Sequence, residues 1–313
     1  MKKIKVGIIG YGNLGKSVEK LISQNSEFKL VAIFSKRNVK AMHAPVEFVS
    51  NLEKYKNKID VMFLCGGSSS NLMEQAQDAL QYFNCIDAFD THKKIPEHLN
   101  ACNVIAQKNQ KVAFCSFGWD PGLFSLMRVL FNALNYTTYT TWGKGVSQGH
   151  SEALRCVKDV KDAIQYTIPN IKLVNKLKSG DISKLDNEKD LHLRQCFVVT
   201  DQKNKKEIES KIINMPNYFK GYKTIIKFIT PVQMLKHNKM FHAGEVFTVG
   251  GDLSFKLKID SNPNFTARVM ILYSKVLFNY YINEKFGAYS ILDVPFGDLI
   301  NNSVHFLWLF RLI

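Results

Sequence analysis

Residues 4–15 read IKVGIIGYGNLG, and this stretch decides the fold of the first part of the chain. Its apolar residues predict a buried strand, and its glycines follow the GxGxxG spacing of a phosphate-binding turn that opens a helix. Gly10 allows a tight turn, Gly12 lets a pyrophosphate approach the backbone, and Gly15 lets the helix pack closely on the strand. The helix N-terminus offers free N–H groups and the positive end of its dipole. The segment Gly10-Tyr11-Gly12-Asn13-Leu14-Gly15 therefore predicts a dinucleotide-binding βαβ unit; a turn with a structural role alone is the alternative.

The end of the second predicted strand indicates which dinucleotide binds. Chains that bind NAD usually carry Asp or Glu there, because a carboxylate holds the ribose 2′-hydroxyl. This chain has Ser35-Lys36-Arg37, about twenty residues after the glycine turn. A hydroxyl and two cations suit a 2′-phosphate, and no carboxylate is present in this segment to repel it. The predicted cofactor is therefore NADP(H).

Two further loops follow predicted strands of the same sheet, at the edge where open α/β sheets bind ligands. The first, Cys65-Gly66-Gly67-Ser68-Ser69-Ser70, has small side chains that let backbone groups and hydroxyls reach the cofactor. The second contains Asp90, Thr91 and His92. Asp90 is either a plain helix cap or a functional carboxylate beside the predicted nicotinamide. We favour the functional interpretation.

Predicted strands and helices alternate over the first 118 residues. The strands are expected near 3–9, 29–34, 59–65, 84–88 and 111–116, and the helices near 13–24, 71–82 and 96–109. The strands are apolar on both faces, as is typical of buried parallel strands. The predicted fold class is α/β, with an N-terminal Rossmann-like doubly wound parallel sheet.

The pattern changes after Trp119-Asp120-Pro121-Gly122. Helices near 123–134, 151–164, 205–214 and 266–283 mix with strands near 137–142, 195–200, 223–229 and 245–259. This mixture predicts a second, α+β domain for substrate binding and dimerisation. We expect a dinucleotide-binding domain at 1–118, the second domain at 119–284, and a segment of about 285–313 that packs back on the first. The polar stretch from Lys176 to Asp190 is predicted to be a surface loop.

The composition indicates a folded protein outside the membrane. Hydrophobic residues make up 46% and charged residues 22%, which are ordinary globular values. No apolar run approaches the ~20 residues that span a bilayer, and the strand pattern begins at once, without a signal peptide. We therefore expect a soluble, cytoplasmic protein with no membrane partner.

The net charge of +15 raises the alternative of a nucleic-acid partner. The lysines are scattered along the whole chain, without a basic arm or a basic helix that carries aromatic residues. A solvated, lysine-rich surface is the favoured interpretation, and no nucleic-acid partner is expected. Part of the positive field is expected to attract an anionic cofactor and an anionic substrate.

The six cysteines show no CxxC pair and no His/Cys spacing suited to zinc. Reduced thiols in the core are the favoured interpretation, with a redox or metal role as the alternative. No metal site is predicted.

With these residues identified, the sequence resembles the meso-diaminopimelate dehydrogenases, NADP-dependent amino-acid dehydrogenases of bacterial lysine and peptidoglycan metabolism. The resemblance runs from residue 4 to about residue 295. GWDPG at 118–122 and SQGHS at 147–151 are its most discriminating motifs. It also rests on GYGNLG, FSKR, FDTH, WGKGVSQGHSEALR, QYTIP, RQCFVV, MPNYFKGY, SNPNFTA and GAYSILDVP.

The resemblance implies oxidation of the D-configured α-carbon of meso-2,6-diaminopimelate, with NADP as the hydride acceptor. Water then hydrolyses the imine to L-2-amino-6-oxopimelate and ammonia, and the reverse direction is a reductive amination. This chemistry needs an uncharged amine at hydride transfer, a proton acceptor and an activated water. The substrate also needs two carboxylate anchors. A homodimer is what the resemblance implies for the assembly.

The resemblance also implies which residues form the site. Asp90 and Asp120 pair with the reacting ammonium and relay its proton, and Trp119-Asp120-Pro121 adds to the cofactor contacts. The implied substrate-binding residues are Asp90, Asp120, Trp142, Gln148, Gly149, Thr167, Arg194, His242 and Asn262. Among them, Arg194 with Thr167 and His242 resembles a clamp on the distal L-centre, since Arg suits bidentate carboxylate binding.

Each of these residues has a structural alternative. Arg194 could form a surface ion pair, Thr167 could be an ordinary strand residue, and Trp142 could be a core aromatic. The surroundings of His242 match the family more loosely. His150 is interpreted as a structural histidine and is left out of the catalytic residues.

Two other functions remain open at this point. One is a related dehydrogenase for other D-amino acids, and the other is a cofactor-binding protein that has lost turnover. After Pro295 the chain departs from the family pattern and ends in NSVHFLWLFRLI. We expect this apolar tail to be either the product of an altered reading frame or a segment packed on the cofactor domain or the dimer contact.

Overall fold

A computed structural model of the chain describes residues 3–67, 71–201, 203, 205–237 and 241–299. Its contacts divide the chain into two units. Unit 1 consists of Met1–Leu126 and Pro263–Ile313, and unit 2 consists of Met127–Asn262. The apolar tail NSVHFLWLFRLI, residues 302–313, lies outside the described residues.

The strands, in chain order, are β1 (Ile4–Ile9), β2 (Phe28–Ser35), β3 (Val46–Phe48), β4 (Val61–Leu64), β5 (Asn84–Asp87), β6 (Val112–Phe114), β7 (Thr138–Trp142), β8 (Gly145–Val146), β9 (Asp162–Pro169), β10 (His192–Val199), β11 (Lys223–Phe228), β12 (His242–Thr248), β13 (Ser254–Ile259) and β14 (Gly287–Tyr289). The helices are α1 (Asn13–Ser23), α2 (Leu72–Ala79), α3 (Ile95–Lys108), α4 (Leu123–Ala133), α5 (Gln148–Arg155), α6 (Ile171–Lys178), α7 (Lys205–Ile213), α8 (Pro231–Met234) and α9 (Asn262–Ile282). Short 3₁₀ helices lie at Val49–Tyr55, His92–Lys94, Glu188–Leu191, Leu235–His237, Ile291–Asp293 and Phe296–Leu299.

Unit 1 is built on a seven-stranded sheet in the order β14-β6-β5-β4-β1-β2-β3. Every pair in it is parallel. Buried side chains of α1 and α9 pack with β1 residues on one face, whereas those of α2 and α3 pack on the other. Each fully buried aliphatic side chain stabilises the fold by roughly 1.5–3 kcal/mol. The predicted doubly wound parallel sheet is confirmed.

The observed units differ from the predicted domain boundaries at both ends. The first unit extends to Leu126 instead of residue 118, and it resumes at Pro263 instead of about residue 285. The reason is α9, whose buried residues Met270, Tyr273 and Leu277 join Val6 and Ile8 in one core cluster. The long helix therefore belongs to the sheet of unit 1.

Unit 2 contains two sheets, in the orders β11-β10-β9-β8 and β13-β12-β7. Pairing in them is antiparallel except between β10 and β11. The helix expected at 151–164 is wrong in its second half, because α5 ends at Arg155 and β9 begins at Asp162. Asp159 lies in the intervening turn with a left-handed φ of 71°, which a continuing helix does not allow. The strand expected at 245–259 is a pair of antiparallel strands, β12 and β13.

The segment expected to be a loop from Lys176 to Asp190 is partly helical. Its first residues complete α6, and its last ones enter the 3₁₀ helix Glu188–Leu191. The cysteines are free thiols, and all of them are buried except Cys156. Among the described residues, no helix has the length and apolar character needed to cross a membrane.

Candidate functional site

The glycine turn between β1 and α1 has the geometry of a phosphate cradle. Gly10 has a φ of 95°, and a Cβ there would lie 2.9 Å from the backbone of Cys65. A Cβ at Gly15 would lie 2.1 Å from the carbonyl oxygen of Gly10, so only glycine fits. At Gly12, in contrast, a Cβ would have nothing within 4 Å. This opening at the N-terminus of α1 fits a pyrophosphate that approaches the backbone.

The segment after β2 places cations next to a fixed hydroxyl. Ser35 is buried, and its Oγ accepts a 3.1 Å hydrogen bond from the N–H of Arg37. Lys36 and Arg37 are exposed. A buried hydroxyl that fixes the turn, with two solvent-facing cations after it, fits a 2′-phosphate group.

Glu19 on α1 was missed by the sequence analysis. Its buried carboxylate accepts hydrogen bonds from the N–H groups of Met42 (2.9 Å) and His43 (2.7 Å), and from the hydroxyl of Tyr11. Burial alone would raise the pKa of Glu19, but the bonds from Tyr11, His43 and Met42 lower it below its usual value. The carboxylate therefore ties the glycine turn to the loop that follows Arg37. An acidic residue on the buried face of α1 was the available signal.

The loop after β4 is described only in part. Cys65 is buried, and burial raises the pKa of its thiol. A Cβ at Gly66 would lie 2.7 Å from Oε1 of Gln75, which leaves little room for a larger residue. Gly67 accepts backbone bonds from Asn71 and Leu72 at its carbonyl oxygen. The predicted cofactor residues Ser68, Ser69 and Ser70 lie outside the described residues.

Asp90, Thr91 and His92 follow β5, and Trp119, Asp120 and Pro121 follow β6 on the neighbouring strand. His92 Nε2 lies 3.7 Å from Oδ2 of Asp120, so the two loops meet. Gly122 has a φ of 135°, and a Cβ there would lie 1.7 Å from the carbonyl oxygen of Gly118. The second glycine of GWDPG is therefore required by the backbone. Both predicted catalytic carboxylates lie at the carboxyl ends of adjacent parallel strands.

The predicted clamp residues of unit 2 face each other across β9 and β10. Arg194 is opposite Thr167 in the antiparallel register, and Nη1 of Arg194 donates a 2.7 Å hydrogen bond to Oγ1 of Thr167. Gln165, which the sequence analysis missed, donates a 3.2 Å bond to the same hydroxyl. The guanidinium also lies 4.3 Å from the ring centroid of Tyr222. Arg194 is buried, which excludes the alternative of a surface ion pair.

Arg194 has unused hydrogen-bonding capacity. Its Nε is buried and has no hydrogen-bond partner, and no ion pair to it occurs among the described side chains. Gln165 likewise keeps a buried Oε1 without a partner. Unsatisfied buried groups of this kind are costly, so the arrangement fits a site that binds an anion.

The histidines around Arg194 are uncharged at neutral pH. Burial lowers the pKa of His192 to about 3 and that of His242 to about 4, and the positive charge of Arg194 contributes to both. Burial and Arg194 also hold the pKa of His150 well below its usual value. Nε2 of His192 accepts a 2.8 Å bond from the N–H of Trp142, in agreement with a neutral ring. Arg194 therefore supplies the positive charge of this cluster.

The other predicted substrate residues of unit 2 lie at the ends of its elements. Trp142 ends β7 opposite Gly244 of β12, and His242 begins β12. A Cβ at Gly145 would lie 2.4 Å from Cα of His242, which shows how closely β8 approaches β12. Gln148 and Gly149 begin α5, and Asn262 begins α9. Asp90 and Asp120 belong to unit 1.

His150, interpreted as structural, bonds within its own turn. Its Nδ1 lies 2.7 Å from Oγ of Ser147, the residue before α5. The ring packs edge-on against Tyr218 and Phe219.

Comparison with known proteins gives consistent results over nearly the whole chain. The family model described as the diaminopimelic acid dehydrogenase C-terminal domain matches residues 118–261. The meso-diaminopimelate D-dehydrogenase of Ureibacillus thermosphaericus is 43% identical, over 96% of this chain and 96% of the relative. That of Corynebacterium glutamicum is 40% identical, over 94% of each chain.

Solved structures of dehydrogenases are similar to this chain over nearly its full length. The C. glutamicum DAP dehydrogenase in complex with DAP has a TM-score of 0.93 and 38% identity, and the match covers 99% of each chain. An engineered D-amino acid dehydrogenase bound to NADP⁺ has a TM-score of 0.92 and 36% identity, over 98% of this chain and 99% of that one.

Proposed function

Because this chain belongs to the meso-diaminopimelate dehydrogenase family, we propose that it oxidises the D-centre of meso-2,6-diaminopimelate with NADP. The products are L-2-amino-6-oxopimelate, which cyclises to L-tetrahydrodipicolinate, and ammonia. In the reverse direction the reaction is a reductive amination that serves lysine biosynthesis. The structural observation that carries this function is the buried guanidinium of Arg194, which has an unpartnered Nε and suits a substrate carboxylate.

Unit 1 supplies the cofactor side of the reaction. The open face of Gly12 and the N-terminus of α1 hold the pyrophosphate. Lys36 and Arg37 hold the 2′-phosphate, next to the turn that Ser35 fixes. When bound, NADP supplies the chemistry of hydride acceptance in one direction and hydride donation in the other. The residues of the chain position the reacting carbon and handle the protons.

Asp90 and Asp120 act on the reacting amino group. A pair of carboxylates attracts the ammonium, and one of them accepts the proton that must leave before hydride transfer. His92 lies 3.7 Å from Asp120 and orients that carboxylate. When the imine is hydrolysed, the same carboxylates position the attacking water.

Unit 2 grips the distal L-centre of the substrate. Arg194, held by Thr167 at 2.7 Å, binds the distal carboxylate. Trp142, Gln148 and Gly149 line the substrate, and His242 with Asn262 completes the distal end. Fixing the L-centre restricts which face of the D-centre takes part in hydride transfer. This arrangement accounts for stereospecificity through binding at a distance from the reacting carbon.

The test is an assay of NADPH formation with defined stereoisomers. We expect turnover with meso-diaminopimelate and none with the L,L isomer. Turnover of simple D-amino acids together with poor diaminopimelate activity would instead support a dehydrogenase of broader specificity. NADP binding without turnover of any of these substrates would support a protein that has lost its activity.

We further propose a cytoplasmic homodimer that assembles through unit 2. Val232 and Leu235 are 71% and 73% exposed, and Val129 and Leu130 of α4, with Leu134 just after it, are exposed over about half of their surface. Exposed apolar groups of this size favour a contact with another protein surface. Sedimentation equilibrium is expected to give twice the chain mass, and a mass of 35.8 kDa would contradict the dimer.

A further inference from the structure

The side chain of Asp87, at the end of β5, is buried and uses both carboxylate oxygens. Oδ1 accepts hydrogen bonds from the N–H of Phe89 at 2.9 Å and from the N–H of Ser116 at 2.8 Å. Oδ2 lies 2.8 Å from Nε2 of His98 on α3. A single carboxylate therefore joins three separate segments of unit 1.

Two of these segments carry the carboxylates of the proposed reaction. Phe89 is the residue immediately before Asp90, and Ser116 opens the loop that leads to Asp120. The carbonyl oxygen of Asp87 also accepts a 2.8 Å bond from the N–H of Phe117. The first residues of both loops are thus hydrogen-bonded to Asp87.

Ser116 shows that this attachment constrains the backbone. Its φ is 67°, in the left-handed region that residues other than glycine seldom adopt. Such a conformation is strained and persists where the surroundings determine it. The bond from its N–H to Asp87 is one such determinant. The loop to Asp120 therefore begins from a conformation that Asp87 helps to hold.

His98 compensates the buried charge of Asp87. The histidine side chain is fully buried, and its ring packs on Phe89 with 4.6 Å between ring centroids. Burial alone would lower the pKa of His98, but the hydrogen bond and charge of Asp87 raise it to about 10. A buried carboxylate needs such a partner, because an isolated buried charge is strongly destabilising.

A metal site at the same place is the competing interpretation. His98, Cys102 and Cys115 bring ligand atoms within 4.8 Å of one another. Nε2 of His98 is already engaged by Asp87, and a protonated imidazole has no lone pair to offer a metal. The thiol of Cys102 lies 3.8 Å from Nδ1 of His98, at hydrogen-bonding distance for sulfur. The ion pair therefore explains the cluster better than a metal does.

We propose that Asp87 and His98 are positioning residues, which fix the spacing of Asp90 and Asp120 for the dehydrogenase reaction. The inference rests on the proposed function, since it assigns Asp90 and Asp120 to the reacting amino group. Asp87 does not touch the substrate in this arrangement; it acts through the backbone of the two loops. His98 acts through Asp87, because it balances the charge and sets the orientation of the carboxylate.

The kinetic consequence differs from that of a lost substrate contact. A displacement of about 1 Å of a catalytic group costs up to ~100-fold in rate. Loss of Asp87 should therefore lower kcat through slower hydride transfer. As hydride transfer slows, substrate deuterated at the D-centre should show a larger isotope effect on kcat.

Asn84 provides a matched control on the same strand. It is buried at the other end of β5, donates a 2.8 Å bond to the carbonyl oxygen of Asp60 and accepts a 3.0 Å bond from the N–H of Val112. Asn84→Ala therefore removes buried bonds between the same neighbouring strands, far from the loops that carry Asp90 and Asp120. It reports what general loss of stability does to turnover.

The experiment compares the full-length wild type, Asp87→Ala and Asn84→Ala below their melting temperatures, together with Asp87→Asn and His98→Gln. For Asp87→Ala we expect kcat to fall about 100-fold, with a raised isotope effect on kcat. Asn84→Ala should lower the Tm but keep kcat within about twofold. Asp87→Asn keeps an acceptor for both loops and His98→Gln keeps a donor to Asp87, so each should retain more turnover than Asp87→Ala. Equal losses of kcat in Asp87→Ala and Asn84→Ala, or full kcat in Asp87→Ala, would overturn the proposal.

Two further arms keep the outcome unambiguous. If Asp87→Ala fails to fold, His98→Leu decides, because it removes the donor to Asp87; full kcat with an unchanged isotope effect in His98→Leu contradicts the positioning role. If the wild type itself does not oxidise meso-diaminopimelate, the proposed function fails on its own. In that case crystal structures test whether Asp87 and His98 hold the two loops. Asp87→Asn should keep Ser116 in the left-handed conformation. His98→Leu should release the hydrogen bonds that the N–H groups of Phe89 and Ser116 donate to Asp87. Unchanged loops in His98→Leu would overturn the role of His98.

Discussion

Arg194 and Thr167 lie directly opposite each other on β10 and β9, and Nη1 of the arginine donates a 2.7 Å hydrogen bond to Oγ1 of the threonine. The threonine hydroxyl therefore fixes the plane of a guanidinium whose Nε is still without a partner. A planar donor group held in this way is suited to bidentate recognition of a carboxylate.

Arg194→Ala is expected to raise KM for meso-diaminopimelate and leave KM for NADP unchanged. A charged hydrogen bond contributes roughly 1.5–3 kcal/mol, which corresponds to about 10–100-fold in affinity. Arg155→Ala is the matched control, because Arg155 is exposed in the same unit and bonds only to a carbonyl oxygen, that of Ala163, among the contacts described. Steady-state kinetics with both variants decide the assignment. Unchanged KM and kcat in Arg194→Ala would show that the distal clamp is assigned to the wrong residue.

Replacing Lys36 and Arg37 with alanine should weaken the binding of NADP much more than the binding of NAD. The expected loss for NADP is about tenfold or more, since each cation loses a charged contact with the 2′-phosphate. Lys20→Ala with Lys29→Ala removes as much charge from exposed positions on α1 and β2 and should affect both cofactors little. Fluorescence titration with each cofactor measures the effect. Equal losses for NADP and NAD would contradict the 2′-phosphate interpretation.

Glu19→Ala should weaken NADP binding while kcat changes little. The substitution leaves the N–H groups of Met42 and His43 and the hydroxyl of Tyr11 without their carboxylate. The buried hydroxyl of Tyr11 loses its carboxylate partner, so the Tm should fall as well. Glu47→Ala is the control, because Glu47 bonds Asn51 and Tyr55 away from the glycine turn. A KM for NADP that rises no more in Glu19→Ala than in Glu47→Ala would mean that Glu19 has a structural role alone.

Acid should destabilise unit 2 through its buried histidines. The pKa of His192 is about 3 and that of His242 about 4 in the folded chain, below the ordinary value of about 6.5 for an unfolded histidine. The unfolded state therefore binds protons first, and stability that is fully present above about pH 6.5 is lost as the pH falls towards these values. Melting curves from pH 8 down to about pH 4 measure this loss. In the variant with His192→Asn and His242→Gln, the Tm should fall less as the pH is lowered. An unchanged dependence of the Tm on pH would exclude these histidines as its cause.

A rise in pH should lower the stability of unit 1, whereas unit 2 loses stability when the pH falls. The folded pKa of His98 is raised to about 10, chiefly by Asp87 against the effect of burial. Its contribution to stability is therefore complete below about pH 6.5 and is lost as the pH rises through the folded pKa. The other titratable groups that face it are Cys102 on the same helix, Cys115 directly after β6, and Asp87 on β5. His98→Gln should remove this alkaline loss in denaturant titrations between about pH 7 and 10; a wild-type stability that stays flat over that range would refute the ion pair.

The sequence predicts the cofactor turn well because its determinants are local. Gly10, Gly12 and Gly15 fall within six residues, and each has the steric role that the pattern indicates. The choice between NAD and NADP is equally local, because it depends on the consecutive residues Ser35, Lys36 and Arg37. The parallel sheet follows from strands that are apolar on both faces, which need helices on each side.

Long-range relationships account for what the sequence did not predict. Asp87 accepts a hydrogen bond from the N–H of Ser116, which is 29 positions away, and no periodic pattern encodes such a contact. Gln165 directly follows the helix that was expected at 151–164, so its place beside Thr167 became apparent only from the strand register. The assignment of α9 to unit 1 likewise depends on tertiary packing, since an apolar helix gives no sign of which core it enters.

The packing of α9 against β1 also has a consequence for the order in which the chain can fold. Unit 2 is one continuous stretch, Met127–Asn262, whereas the core of unit 1 joins Val6 and Ile8 to side chains beyond residue 263. During synthesis from the N-terminus, unit 2 has all of its residues before unit 1 has its last helix. The dinucleotide-binding sheet is thus the later of the two to reach its native core, although its first six strands leave the ribosome before unit 2. Its apolar face toward α9 stays uncovered in that interval, which makes this face the part of the nascent protein most exposed to aggregation and to chaperones.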